Sequence, residues 1–169
     1  GGGNDTISLQ NMTLHGHLAI HSGKNADGIE LRDTTVASFL NLDTGKGSDT
    51  VSLADTTFSG AADVLLGRGD DVIRVEDATA AAKLKVRGQS GDDSLQFTGT
   101  GAAPAGFEFV GGRGDNSFNG TAAAAANGRG AIRGAEAGSF DATAFTARFN
   151  DATTGLNARL ATARQILVP

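Results

Sequence analysis

The stretch G-R-G-D-D-V-I-R-V, Gly67 to Val75, decides the fold, because its pattern returns along the chain at nearly constant intervals. It reads G-G-G-N-D-T-I-S-L from Gly1, G-K-N-A-D-G-I-E-L from Gly23, G-K-G-S-D-T-V-S-L from Gly45 and Q-S-G-D-D-S-L-Q-F from Gln89. These starts lie 22 residues apart, and a sixth copy, G-R-G-D-N-S-F-N-G from Gly112, follows after 23. A fixed period of this size is the mark of a solenoid, in which each repeat contacts only its neighbours.

Within the period the apolar positions keep constant offsets. Ile7/Leu9, Ile29/Leu31, Val51/Leu53, Ile73/Val75 and Leu95/Phe97 alternate with polar residues, as in a strand with one buried face. A single inward position follows at Leu14, Val36, Phe58 and Ala80. A second alternating pair then comes at Leu18/Ile20, Leu40/Leu42, Ala62/Val64, Leu84/Val86 and Phe107/Phe109. Three short strands per 22 residues close a triangle. We therefore expect an all-β fold, a right-handed parallel β-helix of six to seven coils, with handedness taken from the general preference for right-handed crossovers. Repeats are expected over residues 1–138 and a C-terminal cap over 139–169, either a hairpin through Phe145/Ala147/Phe149 or a short amphipathic helix through Leu156, Leu160, Ala163 and Leu167. The inserted residue is expected between Phe97 and Phe107. The column Asn11, Asp33, Asp55 and Asp77, with Thr13, Thr35, Thr57 and Thr79 two places on, reads as Asx-type turn capping.

Composition narrows the function. The 169 residues contain no Cys, so neither disulfides nor thiolate metal sites arise, and Gly is 25, which suits turns and thin strands. A net charge of −5 lacks the basic footprint of a nucleic-acid binder. No apolar run reaches the ~20 residues of a membrane helix. Gly1 already lies inside a repeat, from which we expect a segment of a longer solenoid, whose partners are neighbouring coils of the parent chain or further copies of itself.

The recurrent G-x-G-x-D-x-(Ile/Val/Leu) resembles the calcium-binding nonapeptide of RTX (haemolysin-type) proteins, G-G-x-G-x-D-x-U-x with U apolar. Gly111 to Asn119 is the most similar copy, with Asn116 in place of the Asp. The resemblance covers one turn per coil. It departs from the family in coil length, 22 against 18, in Gln89 for a Gly, and in the degenerate Asn25–Ala26 copy. It implies Asp5, Asp27, Asp49, Asp71, Asp93 and Asn116 as Ca²⁺ ligands; the best site by charge is where acids double and Ser90 breaks the basic column, among Asp70, Asp71, Asp92, Asp93, Asp115 and Asn116. It also implies a non-catalytic structural or adhesive module of a secreted or surface-exposed bacterial protein. Residue chemistry alone leaves an alternative, in which each Asp accepts hydrogen bonds from its own turn and the column Lys24, Lys46, Arg68 and Arg113 supplies the positive charge. Stacked carboxylates repel by ~1 kcal/mol per pair in bulk water, so one or the other must offset them.

Other signals are weaker. His15, His17 and His21 have no counterparts in later coils and read as solvated surface, and two R-G-D tripeptides follow from the repeat consensus itself. Parallel β-helices also host polysaccharide lyases and epimerases. Glu30, Arg74 and Gln96 share one outer sheet face, which gives a carbohydrate-active enzyme as the rival reading.

Overall fold

The structure, a computed structural model, describes residues 1–99, 105–120 and 131–133, together with Thr143, Thr146, Ala147, Phe149, Asn150, Asp151, Thr154 and Ala158. The described residues wind into a β-solenoid of parallel sheets with about five turns, against an expected six to seven from repeat counting. The first sheet stacks Thr6–Gln10, Gly28–Arg32, Thr50–Ala54, Val72–Glu76, Ser94–Thr98 and Ser117–Gly120. A narrow second sheet stacks Thr13–Leu14, Thr35–Val36, Thr57–Phe58 and Thr79–Ala80. The third runs from Leu18–Lys24 through Leu40–Lys46, Ala62–Arg68, Lys83–Ser90 and Gly106–Arg113 to Ala131–Arg133. The last strands of the first and third sheets are only four and three residues long, so the sixth repeat begins a coil without completing one among the described residues.

Register follows the sequence period. Ile7 stacks on Ile29, Ile29 on Val51, Val51 on Ile73 and Ile73 on Leu95, each one coil apart. Glu76 still pairs with Thr98 at the 22-residue step, whereas Lys83 pairs with Gly106 at 23, so the extra residue enters between those pairs as expected. Residues 100–104 of that loop, the alanine-rich run at 121–130, Phe140 and the apolar positions Leu156, Leu160, Ala163 and Leu167 lie outside the described residues. The inward columns form one continuous core, with Leu31, Val36, Leu42, Val51, Leu53, Val64, Ile73 and Val86 fully enclosed. Alternation buries these side chains because a coil is two strand faces wide and only one faces the axis.

Turn chemistry holds the corners. Asn11, Asp33, Asp55 and Asp77 all adopt positive φ, from 46° to 53°, a left-handed conformation that Asn and Asp tolerate better than other side-chain-bearing residues. The expected capping by the following Thr column is corrected by one residue. Buried Thr34 and Thr56 donate to the carbonyls of Arg32 and Ala54 at 2.8 and 2.9 Å, while Thr35 and Thr57 face solvent. The shift arises because the left-handed residue turns its successor inward.

The described residues near the C-terminus are helical, Ala147 and Phe149 among them, while Phe145 lies outside the described residues. Phe149 is buried against Val72 on the outer face of the first sheet, and the Arg74 guanidinium carbon lies 4.3 Å from its ring centroid. Thr146, Ala147, Asn150 and Asp151 are exposed around it. This anchor sits on the flank of the solenoid at its fourth coil. No described helix is long and apolar enough to cross a membrane.

Candidate functional site: the acidic turn

The G-x-G-x-D turns stack at the corner between the third and first sheets. Glycine is required there by close approach: a Cβ on Gly45 or Gly67 would lie 2.1 or 2.0 Å from the carbonyl oxygen of Gly23 or Gly45 in the preceding coil, and φ is +95° and +100°. Those carbonyls therefore point along the axis at the next glycine. The amides of Gly47, Gly69 and Gly91 donate to the carbonyls of Arg68, Ser90 and Arg113 at 2.7, 2.9 and 2.9 Å. Most of the turn backbone thus serves coil-to-coil cohesion.

Strand parity sorts the acids into two columns on opposite sides of this turn. The inner column, Asp27, Asp49, Asp71, Asp93 and Asn116, is buried. The outer column, Asp70, Asp92 and Asp115, is exposed. The six residues singled out in the sequence are therefore adjacent, yet 71, 93 and 116 face inward while 70, 92 and 115 face solvent. Among the described residues no three His, Asp or Glu side chains gather as a metal cluster.

Both columns form hydrogen bonds between coils, in opposite directions. Each inner Oδ1 accepts the backbone N–H one coil back. Asp5 N–H donates to Asp27 at 2.7 Å, Asp27 to Asp49 at 2.7 Å, Asp49 to Asp71 at 2.8 Å, Asp71 to Asp93 at 3.1 Å, and Asp93 to Asn116 at 3.0 Å. Each outer acid accepts from one coil forward, Asp70 from Asp92 N–H at 2.9 Å and Asp92 from Asp115 N–H at 2.8 Å. The expected bond to the acid's own turn is replaced, because stacking at ~4.8 Å brings the neighbouring amide into reach. Such bonds contribute ~0.5–1.5 kcal/mol each to a neutral acceptor and ~1.5–3 to a charged one, so the ladder is a substantial cohesive element.

The second oxygen of the inner acids sets their electrostatics. Oδ2 of Asp27, Asp49 and Asp71 is buried without a hydrogen-bond partner. Burial pushes the Asp71 carboxyl up to about 9, opposed by the Asp49 amide and reinforced by repulsion from Asp93, Asp49 and Asp70. Burial likewise raises Asp49 to about 6, opposed by the Asp27 amide and by the Thr44 hydroxyl beside it. Thr44 gives its own proton to the Leu66 carbonyl, and Ser22 donates to the Thr44 carbonyl at 2.9 Å. This inner hydroxyl pair was not anticipated from the sequence. Its signal was present in Leu66, which shares the column of Ser22 and Thr44 and marks it as inward.

The basic column does not neutralise these acids. Lys24, Lys46, Arg68 and Arg113 are exposed, and none lies within ion-pair distance of an acid among the described residues. Calcium requires six to eight convergent oxygens. Here the glycine carbonyls run parallel to the axis, one oxygen of each inner acid is already bonded, and the outer acids face away. The orphaned Oδ2 of Asp71, whose carboxyl burial holds far above its ordinary value, fits a proton better than an all-oxygen calcium cage.

The face proposed for carbohydrate chemistry is also filled. Glu30 is only 8% exposed. Its carboxylate accepts from Ser8 Oγ at 3.1 Å, Gln10 Nε2 at 2.8 Å and Arg32 Nε at 3.2 Å. Arg74 donates from Nε to Gln96 Oε1 at 3.0 Å and packs over Phe149. Ser52 separates Glu30 from Arg74 by two strand steps, ~10 Å, and is itself buried, as are the outward-facing Thr50, Ala54 and Val72.

Compared with protein-family models, with curated proteins and with solved structures, the chain matches none.

Proposed function

We propose that the chain is a non-catalytic structural solenoid module, of the kind found in RTX-like segments of secreted or surface-exposed bacterial proteins. The observation that carries this reading is the engagement of the repeat's own polar groups. The inner and outer acids and the Gly-turn amides bond coil to coil, so the motif recurs because it stacks. Glu30 is buried and held by Ser8, Gln10 and Arg32, and Arg74 is engaged by Gln96 and Phe149, so both side chains already serve the scaffold.

Two measurements test it. Incubation with acidic polysaccharides should give no turnover, and sustained cleavage lost in Glu30→Gln or Arg74→Gln would establish the enzyme reading instead. Thermal melting with millimolar calcium and with chelator should coincide, because protons and amides already satisfy the ladder. If the calcium implied by the RTX resemblance binds, the melting temperature rises with calcium and not magnesium. A hundredfold excess over Kd would contribute ~2.7 kcal/mol. That rise should shrink more in an Asp71→Asn, Asp93→Asn double variant than in Asp5→Asn.

A further inference from the structure

We infer that the stripe Lys24, Lys46 and Arg68 is a docking surface for a linear acidic polysaccharide lying along the solenoid axis. The three are Cα partners in successive strands of the third sheet, Lys24 on Lys46 and Lys46 on Arg68. Their side chains are exposed and stack at ~4.8 Å. Three like charges at that spacing repel by ~1 kcal/mol per neighbouring pair in bulk water. Among the described residues none of the three forms a salt bridge. Other cations do find acids, Arg32 with Glu30, Lys83 with Glu108 and Arg87 with Asp63.

The charge along this edge is also uneven. Beside Lys24 and Lys46 the outer column carries Ala26 and Ser48, beside Arg68 it carries Asp70, and further on it carries Asp92 and Asp115, while Ser90 interrupts the basic column. One edge of the rod is thus positive over its early coils and negative over its later ones, despite the net charge of −5. The complementary partner is a polyanion with one charge per rung. The step between rungs is close to the rise of one sugar residue in an extended polyuronate. A nucleic acid fits less well. The stripe is one side chain wide, and no aromatic residue stands in or beside the Lys24, Lys46 and Arg68 turns to stack bases.

This inference rests on the scaffold reading, and the experiment separates the two. Fluorescence anisotropy of the whole chain with a labelled polygalacturonate decamer should show binding that weakens as salt rises. Lys24→Gln, Lys46→Gln, Arg68→Gln together should lose at least tenfold in affinity with a melting temperature equal to or above the parent's. Lys85→Gln, on the outer face of the same sheet, should bind as the parent does. A single-stranded DNA oligonucleotide of equal charge number should bind more weakly. Parental affinity in the triple variant, an equal loss in Lys85→Gln, or DNA binding as tight as polygalacturonate would overturn the inference. Shortening of the decamer during the assay would overturn the scaffold reading while leaving the stripe as its substrate track.

Discussion

Asp71→Asn isolates the ionisable oxygen of the inner column. Asn keeps the Oδ1 that accepts Asp49 N–H, and Asn116 already fills this role for Asp93 N–H. What disappears is a carboxyl that burial holds at about 9, against 3.8 for the exposed group. Because the folded value is raised, the folded chain retains a proton that the unfolded chain releases. Stability is therefore fully present below the unfolded value and is lost as pH climbs to the folded one, at ~1.4 kcal/mol per pH unit for one proton. Below about 6 Asp49 adds a second proton to this slope. From pH 6 to 8 the loss from Asp71 is ~2.7 kcal/mol, or ~5–11 °C at ~2–4 °C per kcal/mol. The assay is thermal unfolding followed by circular dichroism at pH 6, 7 and 8 and constant ionic strength. The parent should fall over this interval, Asp71→Asn should stay nearly flat and exceed the parent at pH 8, and Asp115→Asn on the exposed column should keep the parental slope. Parallel profiles for parent and Asp71→Asn, or stability rising with pH, would refute the burial argument.

Three further outcomes follow from the packing. Val51→Asp places a carboxylate in a fully enclosed stack between Ile29 and Ile73 and should cost more than ~4 kcal/mol, with hydrogen-exchange protection lost first in the second to fourth coils. Gln89 occupies a glycine column at φ +79°, so Gln89→Gly should remove ~1–2 kcal/mol of left-handed strain and, after the entropy cost of glycine, raise stability by ~0.5–1 kcal/mol in denaturant titration. Phe149→Ala removes the described anchor between the helical segment and the first sheet and should accelerate limited proteolysis after residue 133 while the β signal persists.

The fold was legible because period and alternation are both local in sequence and repeated several times. A 22-residue step fixes which strand meets which, and the parity of Ile29 against Glu30 fixes which faces the core. The described coils number about five against the six to seven counted from motif starts, because the sixth repeat is described only through the short strands Ser117–Gly120 and Ala131–Arg133. The C-terminal segment was ambiguous for a different reason. Phe145/Ala147/Phe149 alternates, yet the described residues there are helical and Phe149 is placed by contact with Val72, some eighty residues upstream and invisible to any local pattern.

The acidic site was legible in position and not in geometry, and the physics of the turn explains why. A consensus records that Asp71 follows Asp70, but a chain that is still extended through the turn sends consecutive side chains to opposite sides. Doubling of acids, which in sequence suggests a charge-dense cage, therefore builds two single columns with a backbone between them. Each column then solves its charge separately, the outer one by solvent and amides and the inner one by amides and, at Asp71, a retained proton. A calcium cage would need the turn to curl so that both columns and the glycine carbonyls converge. In this chain the glycine carbonyls instead abut the next glycine so closely that a Cβ there would collide with them, a contact that stacked turns provide. Flat stacking and cation convergence are thus competing uses of the same glycines, and the 22-residue coil with its in-register strands favours stacking.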